Sequence, residues 1–361
     1  SRQTPMIRIL IVDDSATIRT LLKAIFESDP EMLVVGMASN GVEAAAQTAL
    51  LKPDVITMDI LMPVMNGFEA TRRIMAENPT PIVVVTSHVD SVELNTTFNA
   101  IKAGALDVIA KPVGQAYHEF EPMRSRLIDT VKLMAGVKVV RRRSVLPSSG
   151  TAPVQHNGQP IAPGAHPGVA VIVIGASTGG PAALNTLFKM LPASLPAPVV
   201  VVQHMTIGFT EGLVSWLRQE SHLPIVLATH NQRVRPGEIY FAPDDQHLEF
   251  AARDVMGLNR GPLVSHVRPS VTRLFDSAAR VYGSEAIGVL LTGMGDDGAI
   301  GLAHLHEQGA PTIAQNEASA VVFGMPKVAV ELGAADFVLP LERISPTLLS
   351  LLDKRGARLR R

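Results

Sequence analysis

Short apolar runs recur through the first part of the chain: IRILIV, LVVGMA, DVITM, PIVVVT and DVIA, each rich in Val and Ile and closed by a turn residue or an acid. The segments between them carry amphipathic, helix-like spacing. Runs this short and this apolar, alternating with helical patterns, predict parallel strands covered on both faces. From Met6 to about Met134 they predict five βα units. The same alternation returns after Val169 with VAVIVIGA, APVVVVQH, LPIVLAT, EIYFAP, EAIGVLLTG, APTIAQ and ADFVLP, and hairpin-like pieces lie between Ile239 and Val267. No close internal repeat relates the halves, so two distinct α/β domains are expected, the second doubly wound and mostly parallel.

Between them the pattern fails. GVKVVRRRSVLPSSGTAPVQHNGQPIAPGAHPG places Pro147, Pro153, Pro160, Pro163 and Pro167 among Ser, Gly and Ala, with little to bury. Such composition predicts an extended linker. The expected division is 6–134, linker 135–168, and 169–356. Arg141, Arg142 and Arg143 read as the solvated end of the preceding helix.

Composition narrows the class. A chain of 361 residues is too long for one ordinary core and implies about two domains. The absence of Cys excludes disulfides, thiolate metal sites and a cysteine nucleophile, and it fits a reducing, cytoplasmic setting. A formal net charge of -1 argues against bulk attraction to nucleic acid or anionic membrane. The start, SRQTPMIRIL, has no signal-like apolar core, and Met6 reads as the natural first residue. Every apolar run falls far short of the roughly 20 residues that span a bilayer, so a soluble protein without membrane insertion is expected.

In the first domain, Asp13 and Asp14 end the first strand, Asp59 the third, Thr86 the fourth and Lys111 the fifth. Side chains at the carboxyl ends of parallel strands converge on one crevice. Three acids there repel one another and imply a hard cation such as Mg²⁺. With Lys111 and Thr86 added, the set describes a site that accepts a phosphoryl group, Asp59 being the candidate nucleophile. The alternative, helix caps and surface acids, accounts poorly for five such residues in strand order. The motifs VDDS, MDILMPVMNG, TS and KP together resemble the response-regulator receiver family, a flavodoxin-like fold. The resemblance implies phosphorylation of Asp59 by a histidine kinase. It also implies Mg²⁺ held by Asp14, Asp59 and the Leu61 carbonyl, Asp13 assisting through water, and a cis Lys111–Pro112 peptide. Val108 stands where many receivers carry a switching aromatic residue.

In the second domain, VIVIGASTGGP contains G-x-S-x-G, which seats a serine on a tight strand-to-helix turn. It lacks the lysine of a phosphate loop and the glycine spacing of a dinucleotide turn. Ser177 needs a base, and the next strand, VVVVQHM, ends in His204, within reach because adjacent strands lie about 4.8 Å apart. His247 and His266 are weaker candidates, read as substrate-face or structural. Asp296 and Asp297, in the turn GMGDDGA, could each orient the imidazole, and spacing does not choose between them. The alternative is that both merely cap a helix. The chain order Ser, His, Asp differs from that of α/β-hydrolases.

IGASTGGP, VVVQHM, RPSVTRLFDSAA, TGMGDDGA and AQNEASAVVFGMP, in that order behind a receiver, resemble the chemotaxis protein-glutamate methylesterases, the CheB family. The resemblance implies a methylesterase domain without a cofactor of its own, with Ser177, His204 and Asp297 catalytic. It suggests the Met294 amide as oxyanion donor with Thr178 nearby. It also implies methyl-accepting chemoreceptors as substrate, deamidation of receptor glutamines, and a receiver that covers the Ser177 cleft until phosphorylated. Two other readings stay open: a phosphorylation-switched docking module without hydrolase activity, and the same esterase in an array unrelated to chemotaxis.

Overall fold

The computed structural model describes residues 6–87, 91–112, 117–139 and 170–356, the backbone alone at 91–93, 117–119 and 354–356. Most of the expected linker, with Arg141, Arg142 and Arg143, lies outside the described residues. The first unit alternates β1 (Ile7–Val12), α1 (Ala16–Glu27), β2 (Met32–Ala38), α2 (Gly41–Leu51), β3 (Val55–Met58), α3 (Gly67–Glu77), β4 (Ile82–Thr86), α4 (Ser91–Ala103), β5 (Asp107–Ala110) and α5 (Tyr117–Ala135). The strands pair in the order β2-β1-β3-β4-β5, all parallel, which is the flavodoxin-like arrangement. β1, β3 and β4 are buried along nearly their whole length, as continuous Val/Ile runs require. Ser15, Asn40 and Asn66 accept amide hydrogens as N-caps of α1, α2 and α3.

The second unit contains β6 (Val171–Ala176), α6 (Gly180–Lys189), β7 (Val199–Gln203), α7 (Thr210–Arg218), β8 (Ile225–Leu227), β9 (Ile239–Phe241), β10 (His247–Ala252) and β11 (Val255–Asn259). It continues with α8 (Val271–Tyr282), β12 (Ala286–Leu290), α9 (Ala299–Glu307), β13 (Thr312–Gln315), α10 (Met325–Glu331), β14 (Phe337–Leu339) and α11 (Leu341–Gly356). Seven parallel strands run in the order β14-β13-β12-β6-β7-β9-β8, and β10-β11 form a separate antiparallel hairpin. After β6 the chain moves toward β7, and after β12 it moves the opposite way toward β13. The carboxyl ends of β6 and β12 therefore flank a topological switch point, where open α/β sheets bind ligands.

The units are packed together through α4 and α7. Phe98 stacks on Trp216 with ring centroids 5.7 Å apart, and both rings are buried. Trp216 Nε1 donates to Asn99 Oδ1 at 3.3 Å, and Gln219 Nε2 donates to Asn95 Oδ1 at 3.2 Å. Lys102 pairs with Glu220, which also meets Lys189 at 2.6 Å. An apolar centre with a polar rim is the usual anatomy of a specific interface. One expectation fails: Arg268–Pro269 is the only cis peptide among the described residues, so Lys111–Pro112 is trans, the isomer X-Pro bonds favour by about 0.5–1 kcal/mol.

Truncating Phe98 removes the ring that both units enclose. Phe98→Ala is expected to lower stability by about 3–5 kcal/mol and to split the melting of the two units. Calorimetry reads both effects, and an unchanged single transition would contradict the packing described.

Candidate active site

At the carboxyl edge of the first sheet, Asp13, Asp59 and Lys111 are all buried. Lys111 Nζ lies 2.8 Å from Asp13 Oδ2 and 2.9 Å from Asp59 Oδ2. The turn after Asp59 closes on it because Gly67 donates to the Ile60 carbonyl at 2.9 Å. A Cβ at position 67 would fall 2.0 Å from the Asp59 carbonyl oxygen, so only glycine fits. Burial pushes the Asp59 carboxyl above its ordinary value, and the charge of Asp13 adds to this against the pull of Lys111. Burial pushes the Lys111 ammonium down, but hydrogen bonds to Asp13 and Asp59 outweigh it and hold its pKa high.

Ligand atoms of Asp13, Asp14 and Asp59 lie within 4.8 Å of one another. Among the described residues Asp13 Oδ2 meets only the Lys111 ammonium, and Thr86 Oγ1 is buried without a partner. An open carboxylate lone pair among three acids fits a hard divalent cation, and a lone hydroxyl above the sheet edge fits an anionic oxygen. Leu61 lies exposed two residues beyond Asp59, and Val108 is buried in β5.

At the second sheet, Ala176 and Gln203 are partners across β6 and β7, so Ser177 and His204 leave adjacent strands at the same level. The Ser177 amide donates to the Thr292 carbonyl at 3.0 Å, and the His204 amide donates to the Ala176 carbonyl at 2.9 Å. Gly179, with φ 78, makes the sharp entry into α6. Asp297, in the loop after β12, meets His204: Nε2 and Oδ2 are 2.8 Å apart. Asp296 is exposed and does not take part, which removes the ambiguity that spacing left.

Asp297 is 3% exposed, yet its oxygens are well served. Oδ1 accepts from Ser270 Oγ at 2.8 Å and from the Thr272 amide at 3.1 Å, and Oδ2 accepts from the Val271 amide at 2.6 Å. Burial pushes this carboxyl up, but the hydrogen bond and charge of His204, with the Thr272 and Ser270 hydroxyls, outweigh it and hold it at about 2. The Asp297 contact occupies Nε2, which leaves His204 Nδ1 to face an acceptor or a proton. Among the described residues Ser177 Oγ donates no hydrogen bond to the ring; such bonds commonly tighten only when substrate binds. The amides of Thr178 and Met294 find no acceptor among the described residues.

Three contributors carried no role in the sequence reading. Gln203 Nε2 donates to the carbonyls of both Ser177 and His204 at 2.8 Å, tying the two strand ends together. Ser270 and Thr272 begin α8 and hold Asp297. The signal for Gln203 was its place beside His204; for Ser270 it was a serine just before an amphipathic run, an N-cap pattern. His247 proves fully buried, whereas His266 is exposed.

The first unit reaches this site. Asp107, at the start of β5, lies close to the Thr178 side chain, and burial pushes its carboxyl up to about 6 against the Val108 amide, Arg126 and Thr178. Val321, which packs with the first unit's core, lies where a Cβ on Gly179 would come within 2.6 Å.

Residues 172–348 match the family model described as CheB methylesterase, and residues 9–117 match that of the response regulator receiver domain. A protein-glutamate methylesterase/protein-glutamine glutaminase of Nitrosospira multiformis is 45% identical over 97% of this chain and 98% of its own. One from Syntrophus aciditrophicus is 44% identical over 96% and 98%. The CheB methylesterase catalytic domain of Thermotoga maritima is similar in structure, with TM-score 0.50 and 42% identity over 51% of this chain and 98% of that domain.

Because Asp297 sits near 2 rather than at its ordinary 3.8, its contribution to stability is present above the ordinary value and is lost as pH falls through 2. Urea unfolding is expected to show Asp297→Asn clearly less stable than the parent at neutral pH, with the gap closing in acid.

Proposed function

The chain belongs to the CheB methylesterase family, with a receiver domain ahead of the esterase domain, and from that premise we propose a phosphorylation-controlled serine esterase. Its substrates are γ-glutamyl methyl esters of methyl-accepting chemoreceptors, cleaved to glutamate and methanol. Receptor glutamines are deamidated by the same chemistry. The observation that carries the reading is the 2.8 Å His204–Asp297 hydrogen bond beside Ser177 at the switch point.

His204 Nδ1 takes the Ser177 proton as Oγ bonds to the ester carbonyl carbon. The carbonyl oxygen becomes an oxyanion and accepts hydrogen bonds from the Thr178 and Met294 amides; losing one such donor costs about 10²- to 10³-fold in rate. Asp297 keeps the imidazole in one tautomer and stabilises its charged form without itself taking the proton. The tetrahedral centre collapses, and methanol leaves with the proton from Nδ1. A water then gives its proton to Nδ1 as its oxygen attacks the acyl carbon, and Ser177 is released with glutamate. With glutamine, ammonia leaves in place of methanol.

In the receiver, an Asp59 oxygen bonds to phosphorus as the bond to the kinase histidine breaks, while Lys111 and Thr86 contact the transferred oxygens. Asp14, Asp59 and the Leu61 carbonyl would hold Mg²⁺, with Asp13 assisting through water, and the ion would supply charge neutralisation there. Control follows from docking: the unphosphorylated receiver sits against Thr178 and Val321 beside the nucleophile, and phospho-Asp59 loosens that contact. The Phe98–Trp216 stack and the closeness of Asp107 to Thr178 support this reading.

Methanol release from methylated receptors is expected to fall by about 10⁴-fold or more in Ser177→Ala. A small phosphodonor is expected to raise the parent rate, and Asp59→Ala is expected to abolish that rise. Demethylation that persists without Ser177 would overturn the serine-esterase reading, whereas a parent that releases no methanol would leave the docking-module reading. A second outcome concerns pH. A carboxyl raised to about 6 favours the docked state while protonated, and that advantage is lost as pH rises from 3.8 through 6. The ratio of unphosphorylated to phosphodonor-saturated rates is therefore expected to fall on acidification, and Asp107→Asn to flatten the dependence.

A further inference from the structure

We infer that His247 is a positioning residue for the catalytic acid: through the start of α8 it fixes where Asp297 stands, although it touches none of the reacting atoms. His247 opens β10 and is 0% exposed. Its Nδ1 accepts the Ser270 amide hydrogen at 3.2 Å, and its Nε2 donates to the Pro262 carbonyl at 2.8 Å. Because an amide only donates and a carbonyl only accepts, those two partners leave a single tautomer, neutral with the proton on Nε2. The ring is thus a rigid spacer between the loop before α8 and the first residue that grips Asp297.

Ser270 has two jobs at once. Its backbone amide is held by His247, and its hydroxyl donates to Asp297 Oδ1 at 2.8 Å while accepting from the Arg273 amide at 3.3 Å as the N-cap. The next two amides, of Val271 and Thr272, complete the cradle. A shift of Ser270 therefore moves three of the donors that hold Asp297, and Asp297 in turn moves His204. The sheet cannot absorb that shift, since a Cβ at Gly175 of β6 would lie 2.2 Å from Val271 Cγ1. The line His247, Ser270, Asp297, His204 connects the β10–β11 hairpin, which lies outside the main sheet, to the base beside Ser177. This gives the hairpin a part in the chemistry that its distance in topology conceals. The inference rests on the serine-esterase reading above.

The test uses the full chain with saturating phosphodonor and three substitutions. Asn places its Oδ1 near the position of Nδ1 and keeps an acceptor for Ser270; Gln reaches only the Nε2 position; Leu keeps neither. His247→Gln and His247→Leu are expected to lower kcat by about 10- to 100-fold with KM little changed. His247→Asn is expected to keep kcat near that of the parent although it too loses the Pro262 contact. The downfield proton resonance of the His204 Nε2–H, read by NMR, is expected to shift or broaden in the Gln and Leu variants and to persist in Asn. Parent-like kcat in His247→Leu, or equal losses in Asn and Leu, would overturn the inference. Asp297→Ala in the same assay separates the two readings: full activity there sinks the triad itself, whatever His247 does.

Discussion

Asp297 accepts hydrogen bonds from Ser270 Oγ, from the Val271 and Thr272 amides and from His204, in a place that solvent scarcely enters. An ionised carboxylate stripped of such partners would cost several kcal/mol to bury. The turn after β12, the start of α8 and the end of β7 must therefore arrive together or not at all. Much else is arranged around that meeting: Gly175 lets α8 lie against β6, Gln203 ties the ends of β6 and β7, and the α8 amides point their partial positive charge at the acid. The site is organised before any substrate binds, which is the condition under which fixed dipoles lower a barrier.

The receiver edge obeys a different logic. Asp13, Asp59 and Lys111 are also buried, but among the described residues Thr86 Oγ1 has no partner, and one ammonium serves two carboxylates. A fully satisfied network would resist change, whereas this one has open valence for a cation and for anionic oxygens. One half of the molecule is thus set and the other is poised. Between them lie the stacked rings of α4 and α7 and a carboxyl, Asp107, whose own burial opposes its ionisation.

The strands were legible because parallel strands covered on both faces read as short apolar runs; the five strands of the first sheet and the seven of the second fall on such apolar runs. Ser177 and His204 were legible as neighbours for the same reason, since consecutive runs ended just before each. Spacing alone did not choose between Asp296 and Asp297, because one step along a glycine-rich turn reverses which side chain faces inward; the resemblance of the GMGDDGA turn pointed to Asp297. His247 was read as substrate-face or structural; its partners Ser270 and Pro262 meet it only through the fold of the hairpin and the loop before α8. Trp216 carried no signal at all: its surroundings come from α4, in the other domain, and no local pattern encodes a surface that only docking buries.

That tryptophan is the only one in the chain. Its indole is stacked on Phe98, bonded to Asn99 and shut away from water where the halves meet. The protein thereby carries a built-in optical gauge of its own state. Because indole emission moves to longer wavelength when water reaches the ring, the separation of receiver from esterase can be followed as a colour change, without label, substrate or partner.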